Sequence, residues 1–207
     1  MSQKSLIALH TLPPDYTVTK RLEITSWRLA LVLNLAGIVP LSLGAVVFFG
    51  VDRVLVASAF TPLVSIPLAA DTRFFFAGLA VVLVIVMLSF HELCHGLAFQ
   101  SFGARPRYGV NVRKAVAYAR ADQYYLPRNA YLIVALAPLV IISILTVILM
   151  VVTGGGLRFI IALMGAANAG GATGDLWFTV VCLRYPKQLL VRDFGDGAEL
   201  FVPTHLS

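Results

Sequence analysis

The chain has 207 residues, 59% hydrophobic and only 13% charged, with a net charge of +6 and a mean hydropathy of +0.87. Soluble domains carry about 25% charged residues, so the composition excludes an ordinary water-soluble fold. Two cysteines, Cys94 and Cys182, lie in or at the end of apolar runs and exclude a disulfide framework.

In chain order, a polar, charged segment (1–26) precedes a full-length apolar span, the pattern of a membrane protein without a cleavable signal peptide. Four stretches meet the requirement of about 20 mostly apolar residues for a spanning helix: 27–50, 72–102, 129–153 and 157–183. Pro40 and Pro138 fall inside the first and third, where neighbouring groups re-satisfy the backbone that a proline leaves open. A tail, 184–207, follows. The expected fold is therefore an all-α integral membrane protein of four transmembrane helices, with the membrane domain over 27–183 between an N-terminal segment and the tail.

Lys and Arg set the orientation. Lys4, Lys20, Arg21 and Arg28 flank the start of the first span, Arg105, Arg107, Arg113, Lys114, Arg120 and Arg128 fall between the second and third, and Arg184, Lys187 and Arg192 lie in the tail. The opposite side carries only Arg53, Arg73 and Arg158. Both termini should face the cytoplasm, and the positive charge reads as a topology signal rather than a nucleic-acid footprint.

The connection 104–129 is too long for a simple turn. Tyr108, Val110 and Val112 alternate with Arg107, Gly109 and Asn111, which is strand period, and 115–119 can pair back across Arg113-Lys114. This predicts a cytoplasmic β-hairpin between helices two and three whose edge, at Tyr108, Val110 and Val112, could receive an extended substrate as an added strand. The tail reads as a polar turn between short apolar runs, with Asp193, Asp196 and Glu199 solvated. Its D-F-G matches a kinase element only as a string, because the glycine-rich loop and the lysine strand are missing.

Of the ten acidic residues, only Glu92 and Asp175 lie inside spans, and His91 and His95 are the intramembrane histidines. Ionisable groups at membrane depth mark function by default, because burial there costs several kcal/mol without a partner. His91 and His95 are i and i+4 on one helix face, with Glu92 adjacent. This is H-E-x-x-H, in which two imidazoles bind zinc and the glutamate addresses its water. Catalytic zinc takes three protein ligands, and Asp175 is the remaining acid at matching depth. The surrounding run MGAANAGGATGD (164–175) is almost all small residues, which lets helix backbones approach closely. Cys94 points about 100° away from His95 on a helix. Asn168, two turns before Asp175, is read as a substrate or oxyanion donor or as a helix-to-helix hydrogen bond.

These residues bring a family into view. FHELCHGLAF, AYARADQYYLPRNAYLIVALAPLV, NAGGATGDLW and LVRDFGDGAEL resemble the bacterial putative zincin peptidases, membrane proteins related to site-two proteases. The resemblance implies an intramembrane zinc metallopeptidase with His91, His95 and Asp175 as ligands and Glu92 as the catalytic residue. Site-two proteases usually show N-x-x-P leading to L-D-G, whereas this chain reads N-A-G-G-A-T-G-D-L, with Gly170, Gly171 and Gly174 in place of the prolines.

The reading is a multi-pass protein of a bacterial cytoplasmic membrane that binds Zn²⁺. It would hydrolyse a peptide bond of a membrane protein or peptide substrate near the cytoplasmic side of the bilayer, Glu92 activating the zinc-bound water. The alternative is a metal-binding, non-proteolytic scaffold or sensor, which needs the ligands but not the base. A transporter is disfavoured, because no trail of ionisable residues continues through the outer half of any span.

Overall fold

The computed structural model describes residues 6–23, 27–66, 73–111, 116–195 and 197–206. The elements run β1 (Tyr16–Glu23), α1 (Trp27–Ala36), α2 (Ile38–Ala57), β2 (Val64–Ile66), α3 (Arg73–Ser101), β3 (Arg107–Asn111), β4 (Val116–Arg120) and β5 (Leu126–Pro127). They continue with α4 (Arg128–Val152), β6 (Thr153–Gly154), α5 (Gly155–Gly171), α6 (Thr173–Leu183), β7 (Leu190–Asp193) and β8 (Gly197–Pro203).

The expectation of an all-α protein with four transmembrane helices is wrong on two counts. First, the chain builds a four-stranded antiparallel sheet in the order β1-β8-β7-β5. The N-terminal segment and the tail are its strands. Every residue of β8 is buried, because β1 and β7 flank it on both sides. Gly195, at φ +97°, makes the turn between β7 and β8; only glycine adopts that backbone at little cost. Glu199 is 8% exposed rather than solvated, paired with Arg192 and with Arg21. Asp196 lies outside the described residues.

Second, among the described residues three helices, not four, are long and apolar enough to cross a membrane: Leu31–Ala57, Phe74–Ser101 and Arg128–Val152. The predicted fourth span, 157–183, is broken at Ala172 into α5 and α6. Consecutive glycines at 170 and 171 weaken helix propensity there. The Thr173 hydroxyl donates to the Gly170 carbonyl at 2.6 Å, and the Ala172 N–H closes the end of α5 on Asn168. The first span is interrupted at Gly37, which puts Pro40 in the first turn of α2, where its missing N–H costs nothing. α3 ends before Gly103, whose φ of +83° is a left-handed helix stop.

Two compact units make up the chain. One comprises Met1–Leu33, Glu92–Ala137 and Gly174–Ser207. Its core gathers Phe99, Leu126, Val134, Leu189, Val191 and Leu200, so the sheet packs on the ends of α3 and α4 and on α6. The other comprises Asn34–His91 and Pro138–Thr173. There α2 packs on α5 through small residues. A Cβ on Gly44 would meet Ala169 and Ala166, and one on Gly165 would meet Thr146 and Phe48. The small-residue run was expected to serve the approach of Asp175. It serves chiefly the α2–α5 seam, and Gly171 and Gly174, nearest Asp175, have nothing within 4 Å of an added Cβ. Arg158, expected only as a charge in a turn, is 4% exposed; its Nε donates to the Thr153 carbonyl at 2.6 Å and its guanidinium lies 3.7 Å from Asp52. On the outer faces Val46, Val81, Ile85, Ile144 and Ile148 are each more than half exposed, an apolar surface that suits lipid.

Candidate metal centre

His91, Glu92 and His95 sit on α3, an uninterrupted helix through this motif. The i, i+4 spacing puts the imidazoles on one face. Each ring is then fixed by its second nitrogen. His91 Nδ1 lies 3.1 Å from Oδ1 of Asn168, a fully buried side chain on α5. His95 Nδ1 lies 2.9 Å from the Val134 carbonyl on α4. Both partners offer an oxygen acceptor, so Nδ1 is placed to donate and Nε2 is the atom that could ligate a metal. This outer-shell arrangement is how metal-binding histidines are oriented.

The Val134 carbonyl is available for a physical reason. In an α-helix it would accept the N–H four residues on, and that residue is Pro138, which has none. The proline thus leaves an acceptor on α4 that His95 takes up. The need for a partner was legible from the sequence; that the partner is an imidazole of the candidate metal group was not.

Asp175 lies in the first turn of α6, where the positive end of the helix favours a carboxylate. The break at Ala172 is what brings it there. His95 Nε2 is 3.4 Å from Asp175 Oδ1, with the side chains only 12% and 21% exposed. One ligand atom from each of His91, His95 and Asp175 lies within 4.8 Å of the others. Two imidazoles, each held from behind through Nδ1, and a carboxylate fit a zinc ion and could supply the three protein ligands that a catalytic zinc takes.

Glu92 does not join that group. Its Oε2 accepts the Ala119 N–H of β4 at 2.7 Å. The predicted hairpin is present as β3 and β4, with Tyr108 opposite Ala119 and Val110 opposite Ala117. Tyr108 packs its ring over Gly96, where a Cβ would collide with the phenol. Val112 lies outside the described residues. Cys94 is buried, pointing into protein.

Sequence reasoning missed the tail's part in this region. Tyr131 donates to Asp193 Oδ2 at 3.0 Å, and the Gly195 N–H donates to Asp193 Oδ1 at 2.8 Å. Burial raises the Asp193 carboxyl from 3.8 to about 6 against those two bonds; His95 pulls it down and Asp175 pushes it up. The D-x-G turn was a visible Asx signal. Its burial depends on strand pairing that the local sequence does not display.

This geometry defines a His/His/Asp group on two helices that could hold a metal ion, with the Glu92 carboxylate one residue from His91. Residues 82–190, just over half of the chain, match the family described as "putative zincin peptidase". The chain belongs to that family, whose description implies zinc and peptidase chemistry. No curated protein and no solved structure matches it.

Proposed function

We propose that the protein is an HExxH zinc metalloendopeptidase of the site-two-protease type. It would cleave a membrane protein or peptide within the bilayer near its cytoplasmic side, in a bacterial cell membrane. The observation that carries this is the convergence of His91, His95 and Asp175 within 4.8 Å, with both imidazoles anchored through Nδ1. The antiparallel pairing of β1 with β8 supports both termini lying on one side of the membrane, and the Lys/Arg distribution makes that side cytoplasmic.

When bound, zinc supplies a Lewis acid that polarises a carbonyl and lowers the pKa of water toward about 7. The side chains do the rest. Glu92, oriented by the Ala119 N–H, takes a proton from water and passes it to the leaving amine. Asn168 holds His91 through Oδ1, and its buried Nδ2 has no hydrogen-bond partner among the described residues. Leaving such a donor unsatisfied costs about 1–3 kcal/mol, so we assign it to the developing oxyanion. An extended substrate adds to the hairpin carrying Tyr108 and Val110. The edge next to Glu92 is that of β4, since the Ala119 N–H points away from β3 toward the carboxylate.

The test is Glu92→Gln against wild type, in proteoliposomes with a quenched-fluorescent library of apolar peptides. The variant should bind zinc as wild type does and lose cleavage. Cleavage at the wild-type rate would refute Glu92 as the base, whereas no cleavage by wild-type protein would favour a non-proteolytic binder.

A further inference from the structure

An apolar cavity of about 180 Å³ lies between α3, α4 and α5, with Thr146 its only polar lining residue among the described residues. Its walls lead toward the metal centre on two helices. On α3, Leu83 and Met87 line it, and His91 is the next residue on that face at four-residue spacing. On α5, Ile161 and Met164 line it, and Asn168 follows Met164 by the same step. His91 and Asn168 are joined by the 3.1 Å hydrogen bond. The polar pair is thus about one helical turn, roughly 6 Å at 1.5 Å per residue, beyond Met87 and Met164, and Phe90, also a wall residue, directly precedes His91.

We propose that this cavity is a specificity pocket that takes one bulky apolar side chain, of leucine or phenylalanine size, flanking the scissile bond. Three observations fix the occupant. The volume suits one side chain, since an engineered apolar cavity of about 150 Å³ takes a benzene ring; a substrate helix is too large. The lining has no charged group and one hydroxyl, so a polar side chain would enter without partners. The distance along the helices matches the reach of a long side chain whose own carbonyl lies at the metal. The assignment rests on the metallopeptidase reading above and adds to it a preference for large aliphatic or aromatic residues.

The experiment uses alkyl hydroxamates, whose head group binds zinc and whose tail stands in for the side chain. Binding of the acetyl, butanoyl, hexanoyl, octanoyl and dodecanoyl members to zinc-loaded, detergent-purified protein is read by the shift in melting temperature. The pocket predicts affinity rising about fourfold per methylene until the cavity is full, by about eight carbons. Leu83→Phe and Ile142→Phe, on different helices, fill the cavity and should each abolish the gain while leaving acetohydroxamate binding unchanged. Ile161→Ala should move the optimum to a longer tail.

A flat series, or a gain equal in wild type and both filled variants, would overturn the pocket while leaving the metal centre standing. A rise continuing past about eight carbons would mark a lipid-chain groove and equally overturn it. Failure of the protein to load zinc, or of every member to bind, would overturn the metal reading and the pocket with it.

Discussion

Pro138→Ala separates the two roles of the α4 proline, because they move in opposite directions. The substitution restores an N–H at position 138, aimed along the helix at the Val134 carbonyl that now accepts from His95 Nδ1 at 2.9 Å. For stability, a proline in a helix interior costs about 3 kcal/mol relative to alanine. Against that gain, the buried ring loses about two methylenes, or about 1.6 kcal/mol at 0.8 each. The net expectation is a metal-free protein more stable by about 1 kcal/mol. For the metal, disturbing an outer-shell partner of a ligating histidine costs 10- to 100-fold in affinity. A carbonyl has two lone pairs, so the new N–H competes with His95 rather than excluding it, and the lower end, about tenfold or 1.4 kcal/mol, is expected. Competition against a chromogenic zinc chelator gives the affinity, and thermal unfolding of chelator-stripped protein gives the stability. Unchanged zinc affinity would refute the claim that the proline exists to orient His95. A fall in both quantities would mean that the ring matters only as core packing.

Other substitutions probe the same network and its surroundings. Asn168→Ala should weaken zinc binding 10- to 100-fold, whereas Asn168→Asp keeps the acceptor for His91 Nδ1 and should stay within about threefold of wild type. If Nδ2 serves the oxyanion, the Asp variant loses about 10²–10³ in kcat, read with the same peptide library. Asp193 has a folded carboxyl at about 6 against an ordinary 3.8, so the folded state binds more protons between those values. Stability of the metal-free protein therefore falls as pH rises from about 4 to about 6, by up to about 3 kcal/mol. Asp193→Asn should flatten the melting temperature over that range, and an unaltered slope would contradict the assignment. Gly165→Ala places a Cβ 2.6 Å from Thr146 and 2.7 Å from Phe48; overpacking of this kind should cost about 1–3 kcal/mol in thermal unfolding. Asp52→Ala leaves the Arg158 guanidinium buried without its counter-ion, a loss of up to about 3 kcal/mol in the same assay.

The candidate metal group was legible because ionisable residues inside apolar runs are conspicuous. Once His91, Glu92, His95 and Asp175 were the acids and imidazoles left inside apolar runs, the i, i+4 spacing completed the reading. The hairpin was legible from the period-two alternation at Tyr108 and Val110. The sheet was not, for β1 pairs Tyr16 with Pro203, and no local pattern encodes a partner so distant in sequence. β8 also carries Glu199 in a fully buried strand, which hydropathy scores as solvated because it does not know that Arg192 and Arg21 are there. The break at Ala172 escaped for a related reason. Hydropathy averages across a two-residue interruption that apolar flanks conceal, although Gly170-Gly171 followed by Thr173 was the local cue. That interruption starts the helix carrying Asp175.

The central claim is that α3 and α6 together hold one zinc ion, and elemental analysis of detergent-purified protein tests it most directly. Wild type should carry about one zinc per polypeptide, and His91→Ala and Asp175→Ala should each lose it while retaining the wild-type helical circular dichroism. A wild-type protein that takes up no zinc after reconstitution, or an Asp175→Ala variant that keeps it fully, would contradict the two-helix centre.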